Sequence, residues 1–205
     1  MRILTIVTCL LLLVPFIAGG CVGKGTVEPT KMYVLNSMEP RQKLESSVIK
    51  EDTVIGITRM GLATYLKRPH IITRVEGNEI HLADFARWAE PLEDGISKIL
   101  AENLSILLGT DKVLIAPWRR DLEIDYQVHL NIVRFDARIG GDVVLAVRWG
   151  VVEGDAESPM LIAKIYTYRE PLSGSSYGAI VAAENSLLED LSRDVAAEIA
   201  RMTGR

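Results

Sequence analysis

The sequence predicts an α/β protein of the α+β type, a two-layer sandwich in which a mainly antiparallel sheet of four or five strands carries two long helices on one face. Two long segments, residues 92–108 and 177–202, repeat apolar residues at three- and four-residue spacing, which predicts amphipathic helices. Two neighbouring segments, residues 124–132 and 143–152, alternate apolar and polar residues, which is typical of strands with one solvated face. Gly140-Gly141 lies between these two segments and predicts a hairpin turn.

The N-terminal segment predicts export and lipid attachment. Arg2 supplies a positive charge, and residues 3–17 form an apolar stretch that is short for a membrane-spanning helix. The small residues Ala18-Gly19-Gly20 precede Cys21, and this run resembles a bacterial lipobox, in which the cysteine becomes the lipid-modified first residue after cleavage. We therefore expect residues 1–20 to be a cleaved signal peptide. The alternative is an ordinary secretory signal, with Cys21 incidental.

Cysteine usage agrees with lipid attachment. Cys9 lies in the predicted signal peptide, so the mature protein keeps only Cys21 and can form no internal disulfide. Acylation of Cys21 anchors a protein stably when several acyl chains bury their CH2 groups in the bilayer. In families that sort lipoproteins by the residue after the cysteine, an aspartate at that position retains the protein at the inner membrane. Here the residue is Val22, which implies an outer-membrane location. Residues 21–30 are predicted to form a short tether.

Residues 31–205 are predicted to form a single periplasmic domain. The full chain has a formal net charge of −4, and removal of the signal peptide leaves 22 basic and 27 acidic residues, a net charge of −5. An acidic balance disfavours nucleic-acid binding, which selects basic surfaces. No second apolar segment reaches the length of a spanning helix, so the lipid is the only membrane attachment that the sequence predicts.

The other predicted elements are short. Segments with strand-like composition lie at residues 32–35, 48–57, 71–75, 79–82, 113–116 and 160–168. Pro69 ends a predicted helical turn at residues 63–68, because the residue before a proline is pushed out of the helical region. Pro91 and Gly109 mark the two ends of the first long helix.

Asn103 is a polar residue on the apolar side of that helix, between Ile99 and Leu107. One interpretation places it at the rim of the core or in a hydrogen bond to a nearby loop carbonyl. The other makes it a polar contact to a partner. Buried amides are normally satisfied internally, so the first interpretation is favoured.

The run Gly174-Ser175-Ser176-Tyr177-Gly178 fits the Gly-x-Ser-x-Gly pattern of a hydrolase nucleophile. That pattern requires a strand running directly into the serine, with an acid and a histidine later in the chain. His70, His81 and His129 all lie upstream, so no triad can be assembled, and we expect a serine of this run to cap the following helix. The histidines also lack metal-ligand spacing and the chain has no phosphate-binding loop. The sequence therefore predicts a protein that is not an enzyme and uses no metal or cofactor.

One set of residues resembles a known family. The set consists of Tyr65, Leu66, Arg68, Pro69, Arg74, Arg87, Trp88, Glu90, Pro91, Leu92, Asn103 and Leu104. These residues give, in order, Tyr-Leu-x-Arg-Pro, a following arginine, Arg-Trp-x-Glu-Pro-Leu, and an Asn-Leu pair within the helix. This order resembles the PqiC/YmbA-type lipoproteins, which are auxiliary lipoprotein components of ABC-type envelope transport systems that contain MCE-domain proteins. The resemblance covers about residues 31–200.

The resemblance implies a function. It implies a non-catalytic lipoprotein of the outer membrane that faces the periplasm and docks onto an MCE-domain, PqiB-like partner, in a system that moves lipids between the inner and outer membranes. Self-association into a ring is compatible with that role. The alternative hypothesis is a periplasm-facing lipoprotein that binds a lipid or a peptide in a pocket of its own, which an apolar cavity between helices and sheet would favour.

Six residues of the resembling set are candidates for partner binding. They are Tyr65, Arg68, Arg74, Arg87, Trp88 and Glu90. Tryptophan, tyrosine and arginine dominate the energetics of interfaces, which favours a docking surface. The same residue types also form internal ion pairs and cation–π contacts, with Glu90 as the expected partner of one arginine. The sequence leaves both interpretations open.

Overall fold

The computed structural model describes residues 28–40, 49–50, 52–119, 121–154 and 164–204. Cys21, the predicted signal peptide, residues 21–27 of the predicted tether and parts of the strands predicted at 48–57 and 160–168 lie outside the described residues. The helices are α1 (Leu92–Leu108) and α2 (Tyr177–Thr203), with a single 3-10 turn at Thr64–Leu66 among the described residues. The strands are β1 (Lys31–Tyr33), β2 (Ile55–Ile57), β3 (Gly61–Leu62), β4 (His70–Arg74), β5 (Ile80–Trp88), β6 (Val113–Ile115), β7 (Tyr126–Arg138), β8 (Asp142–Glu153) and β9 (Ile165–Pro171).

Strand β7 is the centre of the sheet. One of its edges pairs with β8 in an antiparallel hairpin from Tyr126 to Ala137. Its other edge accepts three short strands in parallel, one after another along its length: β2, β3 and β4. The outer positions are taken by β6 beside β2, by β5 and then β1 beside β4, and by β9 beside β8.

The overall class is confirmed, because two helices pack against a sheet around one hydrophobic core. The predicted sheet of four or five mainly antiparallel strands is wrong in detail, since the described residues form a nine-stranded mixed sheet with parallel pairs at β1, β2, β3, β4 and β6. The short strands explain the error. A strand of two or three residues carries too little alternation to be recognised, and its direction depends on a partner that is distant in sequence.

A register shift between Ile132 and Arg134 positions the polar residues of β7. Before the shift the even-numbered residues of β7 are buried, as the sequence predicts. After the shift Phe135 and Ala137 pair with the fully buried Leu145 and Val143 of β8, so the alternation changes phase. A bulge of this kind inserts one extra residue, so the residues after it exchange sheet faces relative to the alternation before it. Asp136 is therefore directed to the sheet face opposite Phe135 and Ala137.

Asn103 forms internal hydrogen bonds, as favoured above. The backbone N–H of Met38 donates to Asn103 Oδ1 at 2.8 Å, and Asn103 Nδ2 donates to Ser192 Oγ at 3.1 Å. Ser192 Oγ in turn donates to the carbonyl of Leu188 at 2.6 Å. The partners are a main-chain N–H and a hydroxyl and not a loop carbonyl. The fully buried amide thus joins the segment after β1 to both helices.

Candidate functional site

Two segments of the resembling set meet at one surface groove of about 470 Å³, which we call the motif groove. The first segment follows the 3-10 turn and the second joins β5 to α1. The segments are held together by the N–H of Trp88, which donates to the carbonyl of Pro69 at 2.7 Å. The groove is lined by Leu62, Lys67, Arg68, Pro69, Trp88, Ala89, Glu90, Pro91, Leu92 and Glu93.

The floor of the motif groove is part of the hydrophobic core. Trp88 is 6% exposed, and Leu62 and Leu92 are also buried. Trp88 is directed inward because β5 alternates over its last residues, with Ala86 and Trp88 buried and Arg87 exposed. The floor is therefore apolar and fixed in place by core packing, which lowers the entropy lost when another molecule binds.

Charged side chains form the rim of the motif groove. Glu93 pairs with Lys67 at 3.8 Å, and Glu90 accepts a hydrogen bond from Lys98. The predicted arginine partner of Glu90 is thus replaced by a lysine. Arg68 is exposed and has no ion-pair partner among the described residues. The rim therefore presents one uncompensated guanidinium beside an apolar floor.

Tyr65 and Arg74 lie in a different cluster, around the fully buried Asp136. Arg74 donates from Nε to Asp136 Oδ1 at 3.2 Å and from a terminal nitrogen to Oδ2 at 2.8 Å. Arg134 Nε donates to Oδ1 at 2.8 Å, and the hydroxyl of Tyr65 donates to Oδ2 at 2.9 Å. This cluster fixes the 3-10 turn onto the sheet.

The electrostatics of this cluster follow from burial and from these bonds. Burial pushes the pKa of Asp136 upward, but the hydrogen bonds from Arg74, Arg134 and Tyr65 outweigh it, so the pKa lies below the usual value. Burial, together with the charge of Asp136, raises the pKa of Tyr65 to about 12. Asp136 is therefore an ionised acceptor at neutral pH, and Tyr65 is a neutral donor.

Arg87 lies at a third place. It pairs in register with Met32 on one side and with His70 on the other, and it is exposed on the outer face of β5. The structure thus brings Arg68, Trp88 and Glu90 together at the motif groove and holds Tyr65 and Arg74 inside the Asp136 cluster. Which of the six candidates bind a partner stays a prediction.

Sequence reasoning missed two buried carboxyl groups, Asp136 and Glu184. Glu184 lies in α2, is 2% exposed, and its Oε2 has no hydrogen-bond partner among the described residues. Burial and the negative charge of Asp136 raise the pKa of Glu184 well above the usual value. In the sequence Glu184 lies four residues after Ile180 and three before Leu187, which places it on the apolar face of α2. This spacing is the sequence signal from which burial of Glu184 could be predicted.

Replacement of Glu184 by glutamine should stabilise the protein, and more so as pH rises. A carboxyl with a raised folded-state pKa contributes its stability below the unfolded pKa and loses it as pH rises toward the folded pKa. We expect Glu184→Gln to match the parent near pH 4 and to exceed its free energy of unfolding by about 2 kcal/mol near pH 8. Urea unfolding at both pH values measures this. Asp190→Asn, at an exposed position of the same helix, is the control, and an equal effect of Glu184→Gln at both pH values would contradict the assignment.

The serine run caps a helix, as predicted. Ser176 precedes α2, and its Oγ accepts from the N–H of Ala179 at 3.1 Å. Strand β9 ends at Pro171, so the strand does not run directly into the serine. Over the part of the chain that the structure describes, no group of three or more metal-ligating side chains comes together. Within the same residues, neither helix is long and apolar enough to span a membrane.

The mixed sheet, the two helices and the motif groove define an α+β protein whose sequence motifs converge on a surface groove. The model of one family, the ABC-type transport auxiliary lipoprotein components, matches residues 33–196. The chain therefore belongs to this family, and the predicted resemblance is confirmed. The family is one of transport auxiliary components and not of enzymes. None of the curated proteins matches the sequence at a significant level.

Solved structures share the fold. A structure described as that of an uncharacterized protein aligns over 84% of this chain and 99% of its own, with a TM-score of 0.65 and 16% identity. A protein from Xanthomonas campestris aligns over 85% of this chain and 97% of its own, with a TM-score of 0.65 and 15% identity. PelC from Paraburkholderia phytofirmans, a dodecamer, aligns with a TM-score of only 0.41 and 14% identity, over 71% of this chain and 87% of its own, and carries no argument about assembly here. Self-association of this chain stays a prediction.

Proposed function

We propose that this protein is a docking component of an MCE-type ABC transport system that moves lipids between the inner and outer membranes. In this proposal acylated Cys21 anchors the protein in the outer membrane, and the domain faces the periplasm. The MCE-domain subunit binds at the motif groove. The observation that carries the proposal is the convergence of the Tyr-Leu-x-Arg-Pro and Arg-Trp-x-Glu-Pro-Leu segments on that one groove, in a chain that belongs to a family of transport auxiliary lipoproteins.

The composition of the motif groove supports docking of a protein. Interfaces owe most of their binding energy to a few aromatic and arginine side chains at a desolvated centre, and Trp88 and Arg68 supply one of each. Arg68 is free to meet a carboxylate of the partner, whereas Lys67 is already engaged by Glu93. The expected partner surface therefore combines an apolar side chain with an acidic group.

The alternative, a carrier with its own internal pocket, receives less support. The space between helices and sheet is filled by large side chains that are fully buried and belong to one cluster, among them Leu104, Phe135, Leu145 and Ile180. A carrier needs an apolar cavity of several hundred Å³ at such a place to enclose a lipid chain. The motif groove is open at the surface and suits a protruding segment of a partner.

Reversal of the charge of Arg68 should strongly reduce capture of the partner. In cells that carry the transport system, we expect Arg68→Glu to reduce co-purification of the MCE-domain subunit about tenfold or more, since loss of an interface arginine costs at least about 1.4 kcal/mol. The matched control is Arg169→Glu, an exposed arginine of β9 remote from the motif groove. In a third arm, the Cys21→Ala protein should no longer be found in the outer-membrane fraction, while its folded domain should still bind the MCE-domain subunit.

The outcomes separate the parts of the proposal. Equal loss of capture in Arg68→Glu and Arg169→Glu would mean a general charge effect and would remove the motif groove from the proposal. Full capture of the MCE-domain subunit by Arg68→Glu would also remove the motif groove from the proposal. Retention of Cys21→Ala in the outer membrane would show that acylation of this cysteine is not the anchor.

A further inference from the structure

An apolar patch lies on the outer face of the sheet, beside the N-terminal end of the described chain. Met32 is 58% exposed, Val34 is 50% exposed and Phe85 is 43% exposed. Each of the three is followed by a residue that packs against the core or belongs to it: Tyr33 after Met32, Leu35 after Val34 just beyond β1, and Ala86 after Phe85. The three exposed side chains therefore alternate with residues of the core. We name Met32, Val34, Phe85 and the neighbouring Arg87 the β1–β5 patch.

The register of the two strands holds the β1–β5 patch together. Met32 pairs with Arg87 and Tyr33 pairs with Trp88 in the parallel β1–β5 ladder. Phe85 lies two residues before Arg87 on the same strand, so it borders Met32 diagonally. The patch thus combines three large apolar side chains with an exposed guanidinium that has no ion-pair partner among the described residues.

The length of chain before β1 limits where the β1–β5 patch can be. The predicted tether, residues 21–30, leads from the lipidated position to Lys31 in ten Cα-to-Cα steps. Fully extended, they span at most about 35 Å. If Cys21 carries the lipid, β1 is the first described element after the lipid in the sequence, and the short tether keeps β1 near the bilayer. Met32 of the β1–β5 patch lies on that element, Val34 follows it directly, and Arg87 is the register partner of Met32.

We propose that the β1–β5 patch rests on the bilayer surface that holds the acyl chains of Cys21, so that the domain sits on the membrane in one orientation. The inference rests on the proposed anchoring of Cys21 and is independent of docking at the motif groove. Exposed aliphatic and aromatic side chains enter the boundary between headgroups and acyl chains, and Arg87 contacts anionic headgroups. The partner is therefore a phospholipid surface that contains an anionic lipid.

A bilayer fits this patch better than a second copy of the chain. A stable dimer buries about 800 Å² on each subunit, far more than three half-exposed side chains supply. The anchored domain needs much less, because a ten-residue tether keeps the patch at a high effective concentration near the lipid. The same contact without the anchor is too weak to hold the protein on a membrane.

The test measures how deeply a dye at a single labelled position enters the bilayer. The acylated mature protein has no free thiol, because Cys9 is removed with the signal peptide and Cys21 is lipidated, so Met32→Cys introduces a single site for an environment-sensitive dye. The lipoprotein is reconstituted into vesicles of phosphatidylethanolamine and phosphatidylglycerol that carry a nitroxide quencher at the headgroup boundary. The matched position is Asp190→Cys, an exposed residue of α2 in the helical layer.

We expect the dye at position 32 to lose about half of its emission or more, because an interfacial apolar face lies roughly 5–10 Å deep, and the dye at position 190 to lose little. Addition of Phe85→Asp to Met32→Cys should reverse most of the quenching.

Equal quenching at positions 32 and 190, or quenching at neither on vesicles that carry the protein, would overturn the proposal. Quenching that disappears when the protein is diluted on the vesicles would assign the patch to a second copy. A parent protein that takes the label, or that does not float with the vesicles, would overturn this proposal together with the Cys21 anchor, while binding at the motif groove would be untouched.

Discussion

Asp136→Asn should be among the most destabilising single substitutions in this protein. The carboxylate is fully buried and accepts bonds from two arginines and a tyrosine, so its loss leaves Arg74 and Arg134 without their counter-charge. Removal of one partner of a buried ion pair costs roughly 3–5 kcal/mol, and the lower end is expected because the two arginine side chains remain 21% and 30% exposed. We expect a loss of about 3 kcal/mol in the free energy of unfolding at pH 7, measured by urea titration.

The effect of Asp136→Asn should depend on pH in a defined direction. The pKa of Asp136 is lowered in the folded protein, so its contribution is present above the unfolded value near 3.8 and is lost as pH falls through the folded value. The difference between parent and variant should therefore shrink in strong acid. The control is Asp142→Asn, whose ion pair with Arg169 is long, at 3.9 Å, and half-exposed, and which should cost about 0.5 kcal/mol or less. A difference that stays constant at all pH values would show that packing and not charge is lost.

The sequence predicted those elements whose pattern repeats often enough to be unambiguous. Helix α1 occurs at the predicted residues, and its C-terminal Gly109 has the left-handed conformation expected of a helix end, with φ of 70°. Strands β7 and β8 also form the predicted hairpin. Their alternation and the glycine pair are local signals that need no knowledge of the rest of the chain.

The missed features depend on contacts that are distant in sequence. The predicted strand at 124–132 ends where the alternation stops, whereas β7 continues to Arg138 because a bulge changes its phase and the pairing continues. The carboxylate at the centre of the Asp136 cluster lies beyond that point. Its three partners come from the 3-10 turn, from β4 and from β7 itself. No pattern in a single segment indicates that they meet.

The interpretation of the basic and aromatic residues as internal contacts holds for part of the set, and docking by the others stays a prediction. Tyr65 and Arg74 form internal bonds, and those bonds fix the segment that carries Arg68 and Pro69. Trp88 is a core residue that is also the floor of the motif groove. A docking surface needs such support, because side chains held by packing and by buried hydrogen bonds are already in place when the partner arrives.

Trp88→Ala should reduce both stability and partner binding, and a second tryptophan separates the two effects. Truncation of a buried tryptophan costs on the order of 3–5 kcal/mol, and Trp88 is only 6% exposed. Trp149 is similarly buried, at 8%, but lies in β8 and packs against Tyr166 with ring centroids 5.1 Å apart, away from the motif groove. We therefore expect Trp88→Ala and Trp149→Ala to lower the free energy of unfolding by similar amounts, as measured by urea titration.

Capture of the MCE-domain subunit should then differ between the two variants. When capture is corrected for the folded fraction at low temperature, Trp149→Ala should bind as the parent does, because its groove is intact. Trp88→Ala should bind about tenfold or more weakly, because the cavity it leaves removes the apolar floor on which a partner side chain would rest. Trp88→Phe, which refills most of the volume, should recover most of the lost stability and part of the binding. Normal capture by the folded fraction of Trp88→Ala would make Trp88 a residue of the core alone and would withdraw the motif groove as the docking site.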